Sequence, residues 1–414
     1  MALDKSFYIN KRIELMSRLP VGAAVILFSG SSRPMSQDTD YRFLPDRNFY
    51  YLTGLEFENG RLIIVNKGDT TVTKLFAPGK DEMVERWHGK RMSFEKISEI
   101  SGIPVECIFK TEDFDEALYD IEKMGYKLAS DGTSIMPETK AFLASDKNVE
   151  DIGAIITSMR MIKSPEEVDA IRKAAVITEA ALLEMKEHIR PGVTEVELYT
   201  SLEYGMSKRG SLIPAFTTIT AIGENSFYLH HGDPEGFDGI KAKSGDHIQI
   251  DVGARVDGYC ADISRVYFVG GKASEGEANE EKRFKLLSLI QELRANAWKF
   301  IKPGETFTTL NDAMHKILGE WLIENGLIDN NPATKDDIKK YYWHNTSHHL
   351  GLDVHDISDR EKPFLPGNCL AVEPGVYIPE WNVGFRIEDD VVVTTGGCEL
   401  ISSGLDTIES IVKE

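Results

Sequence analysis

The 414-residue sequence predicts an α/β (α+β) protein of two domains, the second of which is an internal duplication. Three observations indicate this fold class: the length of the chain, an alternation of strand-like and helical segments in its first part, and a repeated order of motifs in its second part. A domain contains roughly 150 residues, so a chain of this length is expected to form two or three domains. Two domains are our prediction.

The first domain is predicted to contain its own sheet. The runs AAVILF, RLIIVN and TKLFAP have the composition of short strands, and segment 113–124 has a helical pattern. The pattern changes at 164–167 (SPEE), where a serine cap, a proline at the first helical position and a glutamate at the third predict the start of a long helix. We therefore predict domains at 1–158 and 159–414.

Two motifs recur in the same order within the second domain. Segment 189–194 (IRPGVT) returns as 301–306 (IKPGET), in each case between two predicted helices. Further along, 245–253 (GDHIQIDVG) is echoed by 367–375 (GNCLAVEPG), where a turn leads into a strand with an acid two residues before a glycine. Each turn is common by itself, but two matches in one order indicate duplication. Each half is predicted to be helix, helix and β-hairpin, with a pseudo-twofold axis between the halves.

Hairpin geometry brings two acids of the first half together. The dipeptide Asp-Gly at 257–258 lies between alternating residues and predicts a two-residue type I′ turn. Counting outward from this turn makes Asp251 the diagonal neighbour of Asp262 on one face of the hairpin. Because two carboxylates on one face of an apolar strand pair are costly to bury uncompensated, a bound cation is predicted, and a solvated outer face is the alternative.

The repeat extends this prediction to the second half. Glu373 takes the position of Asp251, and Glu388 is matched with Asp262. The second match is looser, because 15 residues separate the acids of the second half and 11 separate those of the first. A twofold axis would bring all four carboxylates to one point.

Histidines cluster beside the second hairpin. Four of the ten histidines of the chain fall within 344–355 (HNTSHHLGLDVH), a density that favours a functional site over packed or surface histidines. His344 and His348 have the spacing of an HExxH motif, but Asn345 replaces its glutamate, which excludes a zincin. Four carboxylates with one imidazole form an oxygen-rich set that suits hard divalent ions, Mn²⁺ first.

Composition excludes several classes of partner. The formal net charge of −20 repels phosphate and anionic lipid, so neither nucleic acid nor a membrane is predicted as a partner. The apolar run 21–28 is far too short to span a bilayer, and the N-terminal segment has no apolar signal region, so we expect a cytoplasmic protein. Four cysteines without a CxxC pair argue against a zinc ribbon or a disulfide framework.

These motifs resemble those of the creatinase-like metallopeptidases, and within them the Xaa-Pro aminopeptidase (aminopeptidase P) and proline dipeptidase group. The resemblance covers nearly all of 160–405, through LHHGDPEG, IQIDVGARVDGYCADISR, HNTSHHLGLDVHD, LAVEPGVY and RIEDDVVVT. Segment 40–54 also resembles the extra N-terminal domain of aminopeptidase P. The resemblance implies a creatinase-like N-terminal domain followed by a duplicated pita-bread catalytic domain.

The resemblance also implies a role for each candidate residue. Asp262 and Glu388 would bridge two metal ions, Asp251 would bind one of them, and the remaining ligands would complete the other. The implied metal ligands are Asp251, Asp262, His348, Glu373 and Glu388. The implied catalytic residues are Glu373, His355, His230, His344 and Arg386. The resemblance assigns no role to His231, His349 and Asp353.

The expected activity is release of the N-terminal residue from peptides with proline in the second position. Two divalent ions, Mn²⁺ with Co²⁺ or Zn²⁺ as alternatives, would lower the pKa of a bridging water and polarise the scissile carbonyl. We expect attack by metal-bridged hydroxide with Glu373 as general base. The alternatives are a proline dipeptidase limited to Xaa-Pro dipeptides and a non-catalytic pita-bread module that binds peptides or proteins. The resemblance further implies a homodimer or homotetramer.

Overall fold

The computed structural model describes residues 3–232, 234, 239–270, 277–405 and 410–411. Part of the motif LHHGDPEG, namely Asp233, Glu235 and Gly236, lies outside the described residues. The chain divides into two compact units, Met1–Met159 and Arg160–Glu414. Both units combine helices with strands, which confirms the predicted α/β fold class. In the described ranges no helix has both the length and the apolar character needed to cross a membrane.

The first unit is built on a six-stranded mixed sheet. Its strands are β1 (Ala23–Phe28), β2 (Arg61–Asn66), β3 (Thr71–Ala77), β4 (Ile108–Lys110), β5 (Lys127–Ser130) and β6 (Glu150–Asp151). Its helices are α1 (Lys5–Ser17), α2 (Arg47–Thr53), α3 (Glu82–His88), α4 (Phe94–Ser101), α5 (Phe114–Lys123) and α6 (Pro137–Leu143), and α7 (Gly153–Met161) runs past its end. The strand order is β4-β3-β2-β1-β5-β6, and the three strand-like runs quoted above form β1, β2 and β3. The six residues of β1 are all buried, as expected for a strand covered on both faces.

The second unit contains two similar sets of helices and strands. Its helices are α8 (Pro165–Lys186), α9 (Glu195–Ser207), α10 (Glu277–Ala297), α11 (Phe307–Glu324) and α12 (Lys335–Lys339). The strands of its first half are β7 (Ile219–Ile222), β8 (His247–Val252), β9 (Arg255–Val256), β10 (Tyr259–Cys260) and β11 (Ile263–Val269). Those of its second half are β12 (Ser347–His349), β13 (Cys369–Val372), β14 (Gly375–Ile378), β15 (Val383–Arg386), β16 (Asp389–Val393) and β17 (Cys398–Leu400), and β18 (Ser410–Ile411) pairs with β11.

The predicted duplication is present in the strand order. Neighbours β7-β8-β11 in the first half correspond to β12-β13-β16 in the second, and all four pairings are antiparallel. The two short hairpins β9/β10 and β14/β15 lie at the ends of these strand pairs. Each half of the second unit therefore contains a pair of helices followed by one long β-hairpin.

Backbone hydrogen bonds repeat between the halves as well. The N–H of Gly245 donates to the carbonyl of Val269, and the N–H of Gly367 donates to that of Val393, both at 2.9 Å. The two glycines have φ of +87° and +91°, a left-handed conformation that a side chain would strain. The Gly-Asp and Gly-Asn turns recognised in the sequence thus have the same backbone conformation and the same hydrogen bond in both halves.

The first hairpin has the register that its turn predicts. Residues 257–258 have φ of +51° and +83°, which is the type I′ conformation. Asp251 lies opposite Ser264, so Asp262 is its diagonal neighbour on the same face. This part of the prediction is confirmed.

The register of the second hairpin corrects the predicted match between Glu388 and Asp262. The ladder on both sides of Glu373 places it opposite Glu388, whereas the residue opposite Asp251 is Ser264. The structural counterpart of Glu388 is therefore Ser264, and its match with Asp262 is wrong by two residues. The longer connection of the second half hides this offset in the sequence. Residues two apart on a strand share a face, so Glu388 still points to the same side as predicted.

We expect the two halves to depend equally on a leucine at the same place in each, four positions after the motifs IRPGVT and IKPGET. Leu198 and Leu310 are both fully buried, and truncation of a buried leucine to alanine costs about 2–5 kcal/mol. Leu198→Ala and Leu310→Ala should each lower the free energy of unfolding by this amount. Leu183→Ala, at a position 48% exposed on α8, is the control and should cost less. Urea unfolding followed by tryptophan fluorescence measures the effect, and equal losses in all three variants would contradict it.

Candidate metal centre

A cavity of about 800 Å³ lies in the second unit, and its walls carry the residues predicted from the sequence. The two hairpins supply the acids: Asp251 lies in β8, and the other three lie in the short breaks between successive strands. The segment around β12 supplies most of the histidines. The predicted residues that line it are His230, Asp251, Asp262, His344, His348, His355, Glu373, Arg386 and Glu388. The structure therefore brings all nine of them to one place, although the first and last of them, at 230 and 388, lie 158 positions apart in the sequence.

Three of the predicted ligands are close enough to share one ion. Ligand atoms of Asp262, His348 and Glu388 lie within 4.8 Å of one another, and all three side chains are buried. His348 Nε2 is 3.4 Å from Asp262 Oδ2 and 3.7 Å from Glu388 Oε1. The same nitrogen is 3.8 Å from Glu373 Oε1. These atoms surround a common point at the floor of the cavity.

The ring of His348 is oriented as a metal-binding imidazole would be. Its Nδ1 lies 3.1 Å from the carbonyl oxygen of His349, and a carbonyl only accepts, so Nδ1 carries the hydrogen. The lone pair of neutral His348 then lies on Nε2, which faces the carboxylates. Fixing one ring nitrogen through a backbone carbonyl is the usual way in which proteins orient metal-ligating histidines.

Asp251 occupies the side of the cluster next to Arg386. Its Oδ2 accepts a hydrogen bond from the guanidinium of Arg386, while its Oδ1 is buried and has no hydrogen-bond partner among the described residues. An unpaired buried carboxylate oxygen is costly unless a cation binds it. Arg386 is in turn held by Gln249, whose side-chain oxygen accepts from the Arg386 backbone N–H at 2.8 Å.

The proximity of the acids perturbs their titration. Burial, followed by the neighbouring Glu388 and Asp251, raises the pKa of Asp262 well above its ordinary value. Burial and the charge of Glu388 raise the pKa of Glu373 to about 8. Burial alone would lower the pKa of His348, but its interactions with the nearby carboxylates of Asp262 and Glu388 outweigh burial and raise it. The cluster therefore holds more acidic than basic groups, and a bound cation would stabilise it.

This donor set fits divalent cations. Four carboxylates and the one guanidinium of Arg386 give a local charge of 1 − 4 = −3 when all the acids are ionised. The ligand atoms are oxygens with a single imidazole nitrogen, which suits hard or borderline divalent ions. Oδ1 of Asp251 has no hydrogen-bond partner among the described residues, and Nε2 of His348 lies within 3.4–3.8 Å of three carboxylates, so both atoms are available to a cation at the cluster.

His344 lies beside Glu373 at the side of the cluster. Its Nδ1 donates to the carbonyl of Asn345 at 2.9 Å, so its Nε2 accepts from the hydroxyl of Tyr377 at 3.1 Å. Burial lowers the pKa of His344 to about 4, which keeps the ring neutral. A Cβ on Gly375 would come within 2.6 Å of the same Nε2, so this position requires glycine.

The other two predicted histidines line the more open part of the cavity. The ring of His355 lies 4.2 Å from that of His348, and partial burial lowers the pKa of His355 to about 4. His230 is exposed on the cavity wall. Both therefore line the accessible part of the cavity.

The three residues without an implied role have structural partners. His349 is buried and packs edge-on against Phe307, with ring centroids 5.4 Å apart. Asp353 accepts from Arg160 at 3.2 Å. His231 lines the cavity and lies 2.8 Å from a buried carboxylate.

Several residues that hold the ligands were not predicted. Ser264 Oγ donates to Glu388 Oε2 at 3.1 Å, and Arg265 donates to the Glu388 carbonyl at 2.6 Å. Gln249, which holds Arg386, is fully buried. The role of Gln249 could have been predicted from the sequence, because an amide inside the apolar run IQIDVG needs a buried hydrogen-bond partner. Ser264 and Arg265 carry no comparable signal, since their partner lies more than 120 residues away.

The duplicated fold and this cavity define the chain as a metal-dependent peptidase. Residues 169–395 match the model of metallopeptidase family M24, which covers more than half of the chain, and residues 8–127 match the aminopeptidase P N-terminal domain. The protein belongs to metallopeptidase family M24, and the resemblance seen in the sequence is confirmed.

Curated relatives and solved structures agree with this family. The Xaa-Pro aminopeptidase of Escherichia coli is 26% identical over 97% of this chain and 96% of its own length. The Xaa-Pro dipeptidase of Pyrococcus furiosus is 30% identical over 86% of this chain and 90% of its own length. The structure of E. coli aminopeptidase P with the inhibitor Pro-Leu has a TM-score of 0.87 at 24% identity, covering 99% of this chain and 97% of that one, which shows a shared fold.

Removal of Arg386 should destabilise the ion-free protein. Arg386→Gln leaves Asp251 buried beside three other acids without its cation, and breaking a buried ion pair in this way costs about 3–5 kcal/mol. Chemical unfolding in the presence of a chelator measures this loss, and adding Asp251→Asn should restore part of it. Arg172→Gln, which breaks an exposed pair with Glu399, is the control and should cost less than about 1 kcal/mol. Equal effects of the two arginine variants would contradict the assignment.

Proposed function

We propose that the protein is a metal-dependent aminopeptidase that releases the N-terminal residue from peptides with proline in the second position. The observation that carries this proposal is the convergence of four carboxylates and His348 on one cavity in a member of metallopeptidase family M24. The aminopeptidase P N-terminal domain at 8–127 supports this activity over that of family members without such a domain.

Two divalent ions are proposed at the carboxylate cluster, with Mn²⁺ as first choice and Co²⁺ or Zn²⁺ as alternatives. The proposed ligands are Asp251, Asp262, His348, Glu373 and Glu388. The charge excess of the cluster and the unpaired oxygen of Asp251 support this assignment. Bound ions would supply a water of lowered pKa and polarise the scissile carbonyl.

The chain's own residues would move the protons. Glu373 faces the cavity with its side chain 16% exposed, and it is the proposed general base that takes a proton from water. The proline nitrogen must gain a proton to leave as a secondary amine when the bond breaks, and Glu373 is proposed to give it the proton taken from water. His355 and His230 are proposed to donate hydrogen bonds to the developing oxyanion. His344 and Arg386 are proposed to hold Glu373 and Asp251 in place.

Three further proposals concern the whole protein. The functional domains are proposed at 1–158 and 159–414, and the division into compact units at 159/160 supports these limits. A homodimer or homotetramer is proposed on the resemblance alone. A cytoplasmic location is proposed from the sequence.

A proline dipeptidase is the second candidate function. The 30% identity to the P. furiosus Xaa-Pro dipeptidase favours it, and the two activities differ in whether a peptide continues beyond proline. A non-catalytic binding module is disfavoured, because such a module would not need to keep all five proposed metal ligands, four carboxylates and one imidazole, around one cavity.

Loss of single ligands should abolish most activity while the protein stays folded. Asp262→Asn and Glu373→Gln should each lower kcat with Mn²⁺ by about 10²–10⁴-fold, because each removes a charge or a proton acceptor at the reacting atoms. Asp169→Asn, which removes an exposed carboxylate from α8, is the control and should retain wild-type activity. Hydrolysis of an Xaa-Pro-Xaa peptide measures the effect. Near-wild-type turnover of Asp262→Asn or Glu373→Gln would contradict the assignment of the metal site.

Comparison of two substrates should separate the candidate functions. With one metal, kcat/KM for an Xaa-Pro-Xaa tripeptide should exceed that for the Xaa-Pro dipeptide, and chelation should abolish both until Mn²⁺ is restored. Hydrolysis of the dipeptide alone would assign the protein as a dipeptidase. Bound metal without hydrolysis of either peptide would instead support the binding module.

A further inference from the structure

Glu195 is a buried carboxylate that the proposed mechanism does not use. It is the first residue of α9 and only 1% exposed. Its Oε1 accepts hydrogen bonds from the backbone N–H of Ile222 at 2.8 Å and from the side-chain amide of Asn225 at 2.9 Å. Its Oε2 lies 2.8 Å from Nε2 of His231.

A glutamate matches these partners, because a carboxylate accepts at both of its oxygens. The backbone N–H and the side-chain amide donate to Oε1, and Oε2 receives the third hydrogen bond from His231 Nε2. A glutamine could accept at only one of its two terminal atoms and would direct N–H groups toward the ring. A carboxylate acceptor also makes each hydrogen bond stronger than a neutral one. Glu195 therefore anchors His231.

His231 belongs to a short wall segment of the cavity, Tyr228–Gly232, which we call the pocket loop. The loop is tied within itself: the N–H of His231 donates to the carbonyl of Tyr228 at 3.0 Å, and the N–H of Gly232 to that of His230 at 2.8 Å. A Cβ at Gly232 would lie 2.7 Å from a methyl group of Thr217, so the loop approaches its neighbour closely. A displacement of His231 would therefore move the whole loop.

The pocket loop carries His230 between two anchors. On one side the carbonyl of Leu229 accepts from the guanidinium of Arg386 at 3.2 Å, which connects the loop to Asp251. On the other side His231 is held by Glu195. His230 itself is exposed to the cavity, and the position of its side chain depends on the anchored residues Leu229 and His231.

We propose that Glu195 and His231 are positioning residues whose hydrogen bond fixes the pocket loop so that His230 meets the bound peptide. This inference deepens the proposed function and rests on it. Neither residue needs to contact the substrate for this role. A misplacement of about 1 Å at a group that acts on the reacting atoms can cost about 10²-fold in rate.

A double-mutant cycle tests whether His231 acts through His230. His231→Ala should lower kcat/KM for an Xaa-Pro-Xaa peptide by about 10–10²-fold, mainly through kcat. In the His230→Ala background the same change should cost less than about twofold, because residues that act as a unit are non-additive. Losses that multiply in the double variant would overturn the proposal, since they would indicate an independent or merely structural role.

Conservative variants separate anchoring from general destabilisation. The amide of His231→Gln can still donate to Glu195 and should retain most of the activity that His231→Ala loses. Glu203→Gln is the matched control on α9: its carboxylate bonds Thr218 at 2.5 Å rather than the loop, and it should behave as wild type. Equal losses in His231→Gln and His231→Ala would contradict the anchor.

Amide hydrogen exchange provides a readout that needs no substrate. Exchange at the amides of His231 and Gly232 should be faster in Glu195→Ala and His231→Ala than in the wild type, and unchanged in Glu203→Gln. Unchanged exchange in the first two variants would overturn the proposal even if activity falls. If the wild type cleaves no Xaa-Pro peptide, the proposed function fails, while the exchange measurement still tests the anchor.

Discussion

The mutual repulsion of four carboxylates around His348, three of them buried and one partly buried, is the constraint on which the rest of the second unit depends. Acids brought this close in a low-dielectric environment either retain protons or bind cations. The raised pKa of Asp262 and that of Glu373 express the first outcome in the ion-free protein. The unpaired oxygen of Asp251 and the Nε2 of His348, which faces the carboxylates, would bind a cation in the second outcome.

Duplication is how the fold holds such an unfavourable cluster together. Each half supplies a hairpin whose backbone is fixed by the same turn and the same antiparallel ladder, so the acids need no flexible loop to meet. The register differs between the halves, and Ser264 stands where its counterpart strand carries Glu388. The serine hydroxyl then bonds that glutamate across the interface of the two hairpins. Because of this offset, Glu388 faces a hydroxyl donor of the first hairpin at 3.1 Å.

Local chemistry explains which parts of the site could be predicted from the sequence. The Asp-Gly turn at 257–258 sets the register of the first hairpin by its own backbone preference, so the meeting of Asp251 with Asp262 follows from counting. The offset of Glu388 could not be counted, because a longer connection precedes it. The pairing of Glu195 with His231 links residues 36 apart without a repeating pattern, and only the packed structure reveals it. Interactions set by turns and periodicity are readable in sequence, whereas those set by packing are not.

The most direct test of this account is anomalous diffraction from crystals of the protein grown with Mn²⁺. Two peaks about 3.5–4 Å apart between the hairpins are predicted, as in other two-metal sites. Asp262 and Glu388 should contact both ions, Asp251 one, and His348 the other. A single ion elsewhere in the chain, or no ion among these residues, would contradict the central claim.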